Sequence, residues 1–255
     1  MKIVILAGGF GTRLSEHTTK IPKPLVTIGD VPIIFHIMSH YAYYGFNDFI
    51  IALGYKSELI KDYFMRLNVY NSDFDIDLKS GKIQVINKKN IDWKIKLVDT
   101  GLDSMTGGRL LRVGKYINSD NFMLTYGDGV SDVNISNLLK FHKSHNKIGT
   151  VTAVHPIARF GELELSNDLV SSFKEKPQVN KGWINGGFFV FKKKFIDYLG
   201  DDSSVLEKEP LEKLSQDKQL YAFKHNGFWQ CMDNIRDKMF LDELINEKKA
   251  PWKSI

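Results

Sequence analysis

The stretch IVILAGGFGTRLSEHTTKIPKP, Ile3 to Pro24, passes from four consecutive apolar residues into a turn with glycines at 8, 9 and 11. It then reaches Arg13 and a lysine, Lys23, set between Pro22 and Pro24. A short apolar run rich in β-branched residues and bounded by turn signals predicts a buried strand over Lys2–Leu6. A glycine-rich turn leaving such a strand brings bare backbone N–H groups close to a phosphate, and Gly8, Gly9 and Gly11 supply that turn. Arg13 adds a planar fork for two phosphate oxygens, and the flanking prolines restrict where the stem of Lys23 points. Together these features read as a polyphosphate clamp. Two familiar phosphate loops do not account for it. A P-loop needs a lysine directly after its second spaced glycine and then Ser or Thr, which this stretch lacks. The dinucleotide fingerprint counted from Gly9 and Gly11 ends on Leu14, too bulky for its close helix packing.

Outward from this stretch, strands and helices alternate. Ile33–Tyr44 has helical spacing, Phe49–Leu53 reads as a strand and Ser57–Leu67 as a helix; Asn121–Tyr126, Ile135–His142 and Thr150–Val154 repeat the pattern. The alternation predicts an α/β fold, doubly wound, on a mixed, mainly parallel sheet. From Ser72 to Val98 the period changes to two, with Phe74, Ile76 and Leu78 alternating with aspartates and Trp93, Ile95 and Leu97 with lysines. This predicts an inserted antiparallel β element over about 72–98. Its aspartates do not form a calcium loop, since the sixth and twelfth positions hold Leu78 and Gln84. Beyond Val154 the pattern turns to short strands at Glu162–Leu165, Val170–Phe173 and Gly186–Phe191, then helices near Ser204–Gln216 and Ile235–Lys248 around a strand at Tyr221–Lys224. No proline- or serine-rich linker divides them, so one domain over 1–255 is expected.

A chain of 255 residues buries about 70–75 % of the surface it exposes when unfolded, enough for a full core. One cysteine, Cys231, excludes an intrachain disulfide and fits a reducing compartment, and the first apolar run is too short for a leader or a membrane span. The expectation is a cytoplasmic protein without a membrane partner. The net charge of +5 admits small polyanions, but no nucleic-acid recognition module is present and the Lys192–Lys194 run reads as a solvated face. His36 with His40 and His142 with His145 lack the glutamate and spacing of a zinc site.

Several further segments carry chemistry-bearing residues. Asp128, in YGDG after the strand Asn121–Tyr126, stands where open parallel sheets bind ligands, and equally suits a turn. Arg109, in TGGRL, begins a helix whose N-terminus can meet a phosphate. Glu175 and Lys176 place opposite charges side by side in FKEKP, and Asn185–Gly186, in WINGG, suits a hairpin turn. Asp233, in QCMDNIRD, reads alone as the N-cap of the last helix.

Taken together, GGFGTRL followed by PKP is similar to the signature of the sugar-1-phosphate nucleotidyltransferases. TYGDGV at 125–130, TGGRL at 106–110, FKEKP, WINGG and GFWQCMDNIRD, with APWK at the end, narrow the resemblance to the branch that uses CTP and glucose 1-phosphate. The resemblance implies a Rossmann-like nucleotidyltransferase fold, a magnesium cofactor, homo-oligomeric assembly and the reaction of NTP with sugar 1-phosphate to give NDP-sugar and pyrophosphate. It implies nucleotide contacts at Leu6, Gly8, Gly9, Gly11, Thr12, Arg13, Lys23, Thr106, Arg109 and Gly127, and sugar-phosphate contacts at Gly161, Glu175, Lys176, Asn185 and Gly186. It further implies Asp128 and Asp233 as metal ligands, with Arg13, Lys23, Asp128 and Lys176 carrying catalysis. Cytosine would be read by the segment 100–108. Cys231 is a departure, because relatives carry proline there, in the turn that presents Asp233. A catalytically silent nucleotide-sugar sensor, or the same reaction with another base or sugar, would show much the same motifs.

Overall fold

A computed structural model describes residues 1–88, 91–156, 162–166, 169–174 and 182–253. Its centre is a seven-stranded sheet of β1 (Lys2–Ala7), β2 (Asp48–Leu53), β3 (Lys94–Asp99), β4 (Asn121–Tyr126), β5 (Gly149–Val154), β6 (Ile184–Lys192) and β7 (Leu220–His225). The spatial order is β7-β5-β6-β4-β1-β2-β3. β1 pairs in parallel with both β2 and β4, β2 with β3, and β5 with β7; β6 alone runs antiparallel, between β4 and β5.

The unbroken apolar run of β1 follows from this position. Ile3 and Ile5 project to one face of the sheet and Val4 and Leu6 to the other, and both faces are covered. On the first face lie α1 (Ile33–Tyr43), α2 (Ser57–Tyr70), α4 (Ile135–His145) and α6 (Ile235–Asn246), contributing Ile37, Ile60, Leu138 and Leu241. On the second lie α3 (Thr106–Val113) and α5 (Glu209–Gln216), through Leu110, Val113 and Leu214. Among the described residues no helix is long and apolar enough to cross a membrane.

Two expectations change. The inserted element is only the hairpin Ser72–Asp77 with Lys82–Lys88, whereas Lys94–Asp99 joins the main sheet as edge strand β3. Trp93, Ile95 and Leu97 turn inward there against the first-face core, and the lysines between them guard an exposed edge. The helix expected from Ser204 begins only at Glu209, leaving 201–208 as a loop.

After β1 the chain builds outward through β2 and β3, then returns to the opposite side of β1 with β4. The strand order therefore reverses between β1 and β4, and the crevice beyond their carboxyl ends is where such sheets receive ligands. The Gly127 N–H donates to the Leu6 carbonyl at 3.0 Å at that point, tying the two exit loops together.

Candidate active site

The loop leaving β1 is shaped by its glycines for separate reasons. Gly11 has φ +65°, a left-handed conformation that opens a single 3-10 turn over Thr12–Leu14. Its carbonyl accepts from the Leu14 N–H and from the Thr18 hydroxyl, both at 3.0 Å. Gly8 is bare because the Arg109 guanidinium lies against it; a Cβ there would come within 2.3 Å of it. Thr12 and Arg13 are exposed at the turn.

Lys23 opens a second 3-10 turn, Lys23–Leu25, with Pro22 as its N-cap and Pro24 inside it. The side chain is only 11 % exposed, and its ammonium donates to Asp128 Oδ2 at 2.6 Å and to Asp233 Oδ1 at 2.7 Å. Arg13 Nη1 donates to Asp233 Oδ2 at 2.8 Å from a side chain that is 74 % exposed. Burial alone would lower the Lys23 pKa, but the carboxylates of Asp128 and Asp233 outweigh it and raise the pKa above its ordinary value. Burial works likewise against the Asp233 carboxylate, and Lys23 and Arg13 together hold its pKa below the ordinary value.

Two carboxylates arrive there from distant segments through one small ribbon. The strand Gly129–Ser131, just after Asp128, pairs antiparallel with Trp229–Cys231, just before Asp233. The Met232 N–H donates to the Asp128 carbonyl at 2.8 Å and closes the turn. Cys231 ends this ribbon opposite Gly129, and its thiol is pushed up to about 12, by burial first and then by the carboxylates of Asp233, Asp128 and Asp237. The N-cap of α6 is Asn234, not Asp233. Asn234 accepts from the Asp237 N–H while Asp237 accepts from the Asn234 N–H, a capping box that leaves the Asp233 side chain free for Lys23 and Arg13. Beside the ribbon, His225 Nε2 faces Asp132 Oδ1 at 2.8 Å and the Ser131 hydroxyl at 3.3 Å. One ring nitrogen serves both partners, so these residues brace the loop through Phe228 and do not form a nucleophilic triad.

Arg13, Asp128 and Asp233 line a cleft of about 300 Å³ together with Tyr126, Asn185 and Glu207. Asn185 Nδ2 donates to the Tyr126 hydroxyl at 3.3 Å, Tyr126 donates to Glu207 Oε1, and the Thr106 hydroxyl donates to Glu207 Oε2 at 2.7 Å. Burial, then the Glu207 carboxylate, raise the Tyr126 pKa well above the ordinary phenol value, so the hydroxyl keeps its proton. Gly186 packs its bare Cα on Val154 and its carbonyl accepts from Trp229 Nε1 at 2.7 Å.

The structure places some expected residues differently. The N-terminus of α3 is filled: the N–H groups of Met105 and Gly107 donate to the carbonyls of Asp202 and Ser204 at 2.8 Å, and a Cβ on Gly108 would lie 2.4 Å from the Asp202 oxygen. The two glycines of TGGRL thus admit the loop 201–208. Arg109 is buried, with its guanidinium donating to the carbonyls of Leu53, Gly101 and Leu102 and to the Thr100 hydroxyl. Its donors organise the loop after β3 instead of pointing at a phosphate from a helix terminus. Gly161, Glu175 and Lys176 lie outside the described residues. Tyr126, Glu207 and Trp229 are not among the residues the sequence reading assigns to the site; Tyr126 lies inside TYGDGV and Trp229 inside GFWQCMDNIRD, but Glu207 belongs to no motif.

Among the described residues no three His, Cys, Asp or Glu side chains converge. The carboxylates of Asp128 and Asp233 nevertheless meet on one ammonium nitrogen, so both can reach a single small cation. Two hard oxygen donors, completed by phosphate oxygens and water, are a donor set that magnesium takes.

The family model described as Nucleotidyl transferase matches residues 2–237. The chain is 49 % identical over 255 residues to the glucose-1-phosphate cytidylyltransferase of Salmonella typhi, covering 100 % of this chain and 99 % of that protein. It is 41 % identical over 254 residues to a probable glucose-1-phosphate cytidylyltransferase of Bacillus subtilis (strain 168), covering 99 % of each. The fold matches that of HddC from Yersinia pseudotuberculosis, crystallised with GMP-PN, at a TM-score of 0.71, with 24 % identity over 96 % of this chain and 99 % of that one.

Proposed function

The chain belongs to the nucleotidyl transferase family, and we propose that it joins CTP to α-D-glucose 1-phosphate, giving CDP-glucose and pyrophosphate. The observation that carries this reading is the meeting of Lys23, Asp128, Asp233 and Arg13 at the sheet's switch point, in a chain aligned end to end with cytidylyltransferases.

The sugar phosphate needs no catalytic base, because a phosphate monoester has a second pKa of about 6 and is already largely ionised at neutral pH. One of its oxygens bonds to the α-phosphorus of the nucleotide as the bond to the β-phosphate oxygen breaks, and the electron pair leaves on pyrophosphate. What the chain must supply is alignment of two polyanions and preorganised positive charge. Arg13, on its exposed turn, and Lys23, on its proline-locked one, meet the triphosphate. Asp128 and Asp233 hold magnesium, which when bound neutralises phosphate oxygens as a Lewis acid. On the resemblance of FKEKP, Lys176 meets the sugar phosphate and Glu175 a ring hydroxyl, with Asn185 beside it. Arg109 acts on the nucleotide side by fixing the 100–103 loop.

Pyrophosphate release measured for four ribonucleotides and dTTP against several hexose 1-phosphates, with and without magnesium, tests the reading. Turnover confined to CTP with glucose 1-phosphate is expected, and binding without turnover in every pairing would identify a sensor. The hairpin over 72–88 leaves Ile76, Ile83 and Val85 exposed, which supports assembly of identical subunits through it. Deleting that hairpin should reduce the mass seen by light scattering.

A further inference from the structure

The cleft has to receive two polyanions, yet it contains a third carboxylate besides Asp128 and Asp233. Glu207 is exposed to the cleft, and among the described residues no lysine or arginine pairs with it. An unneutralised carboxylate would repel phosphates, so its place in the cleft suits a part of the substrate without them. Its hydrogen bonds run to Tyr126 and Thr106, and among the described residues none joins it to the cluster of Arg13, Lys23, Asp128 and Asp233. Its orientation is set from two sides, by the Tyr126 hydroxyl on Oε1 and by the Thr106 hydroxyl on Oε2. Thr106 is itself fixed, since its Oγ1 accepts from the Leu206 N–H at 2.9 Å. A carboxylate has about four acceptor positions, and these two donors occupy one on each oxygen. The positions left over are acceptors only, and a ring of hydroxyl groups is rich in donors.

We propose that Glu207 accepts hydrogen bonds from ring hydroxyls of the sugar 1-phosphate and thereby sets which hexose the chain uses, with Tyr126 and Thr106 as its positioning residues. The inference rests on the nucleotidyl transferase reading above and adds to it a sugar contact on the loop 201–208. The Tyr126 hydroxyl faces Glu207 as a donor and Asn185 as an acceptor, so the three side chains form one directed chain along the cleft wall.

Glu207→Gln keeps the shape and removes the charge; Glu207→Asp shortens the side chain and retains it. Initial rates are measured for wild type and both variants with glucose 1-phosphate and its 2-, 3-, 4- and 6-deoxy analogues at saturating CTP, and the KM for CTP is measured separately. For glucose 1-phosphate, kcat/KM is expected to fall about 10- to 100-fold in Glu207→Gln, the range of a hydrogen bond to a charged acceptor. At least one deoxy analogue should be used equally by wild type and Glu207→Gln, because the hydroxyl that Glu207 reads is then gone from both. The KM for CTP should stay unchanged, and Glu207→Asp should recover part of the loss. An equal loss on every analogue, or a loss that appears in the KM for CTP, overturns the inference alone. A wild-type chain that releases no pyrophosphate from CTP with any of these sugars overturns the parent reading, and this inference with it.

Discussion

The ammonium of Lys23 lies 2.6 Å from Asp128 Oδ2, and the same nitrogen reaches Asp233 Oδ1 at 2.7 Å. The chain's own cation holds together the two carboxylates that the proposed reaction assigns to a metal. Removing it leaves two partly buried carboxylates facing each other. Lys23→Met is expected to lower stability by about 1–3 kcal/mol, less than a fully buried pair because both carboxylates are partly exposed. Millimolar magnesium should then raise the melting temperature of the variant more than that of the wild type, since an outside cation can take the vacated place. Equal shifts in differential scanning fluorimetry would show that the carboxylates do not bind the ion.

Arg13 separates binding chemistry from stability. Its pair with Asp233 is made by a side chain 74 % exposed, so Arg13→Ala should melt within about 0.5 kcal/mol of wild type. If the guanidinium stabilises charge on the nucleotide phosphates, kcat/KM for CTP falls about 10²- to 10³-fold. Steady-state kinetics beside a thermal melt distinguishes the two effects.

Gly108→Ala pushes against backbone. The new Cβ would lie 2.4 Å from the Asp202 oxygen and 2.6 Å from its Cα, and neither can rotate away. The loop 201–208 must shift, at a cost of about 1–3 kcal/mol, and Glu207 shifts with it. The KM for glucose 1-phosphate should rise in parallel. Gly9→Ala, where a Cβ meets nothing within 4 Å, is the matched control and should alter stability by less than about 0.5 kcal/mol.

Acid sensitivity follows from the core histidines. Burial first, then unfavourable charge interaction with His145 and Lys192, pushes the His142 pKa down to about 4, and burial lowers those of His36, His40 and His145. These rings fold neutral, while in the unfolded chain they titrate near 6.5. The unfolded state therefore binds more protons below that pH; stability is full above about 6.5 and is lost as pH falls toward 4. Urea midpoints measured from pH 7 to pH 5 should fall, and His142→Gln should flatten the slope.

Cys231 faces carboxylates, not cations, and its pKa is raised to about 12. The thiolate needed for alkylation is scarce in the folded chain at pH 8. Iodoacetamide should label the native protein about 100-fold or more slowly than the protein in urea, where the ordinary thiol pKa returns. Mass spectrometry of timed samples reads both rates.

The strand Lys2–Ala7 and the helix Ile33–Tyr43 were legible because period and branching are local properties, and the glycine, arginine and proline-lysine signals lie within 20 residues of each other. Period two at Lys94–Asp99 showed a half-buried strand but not which sheet it joins, since an edge strand and an inserted hairpin bury one face alike. Asp233 illustrates the same limit. Asx side chains cap helices so readily that the cap was assigned one residue early, and the reciprocal bonds of Asn234 and Asp237 decide it.

The linear order of residues by itself determined a buried parallel strand ending in a phosphate-seeking turn, a doubly wound α/β fold and the set of charged groups available to it. Only the tertiary structure decided that Lys23 meets carboxylates 105 and 210 positions away, that the start of α3 is closed by the loop 201–208, and that Glu207 lines the cleft in contact with Tyr126. Periodicity is written into neighbouring residues, whereas convergence depends on which strands lie side by side, and that order is settled by burial over the whole sheet.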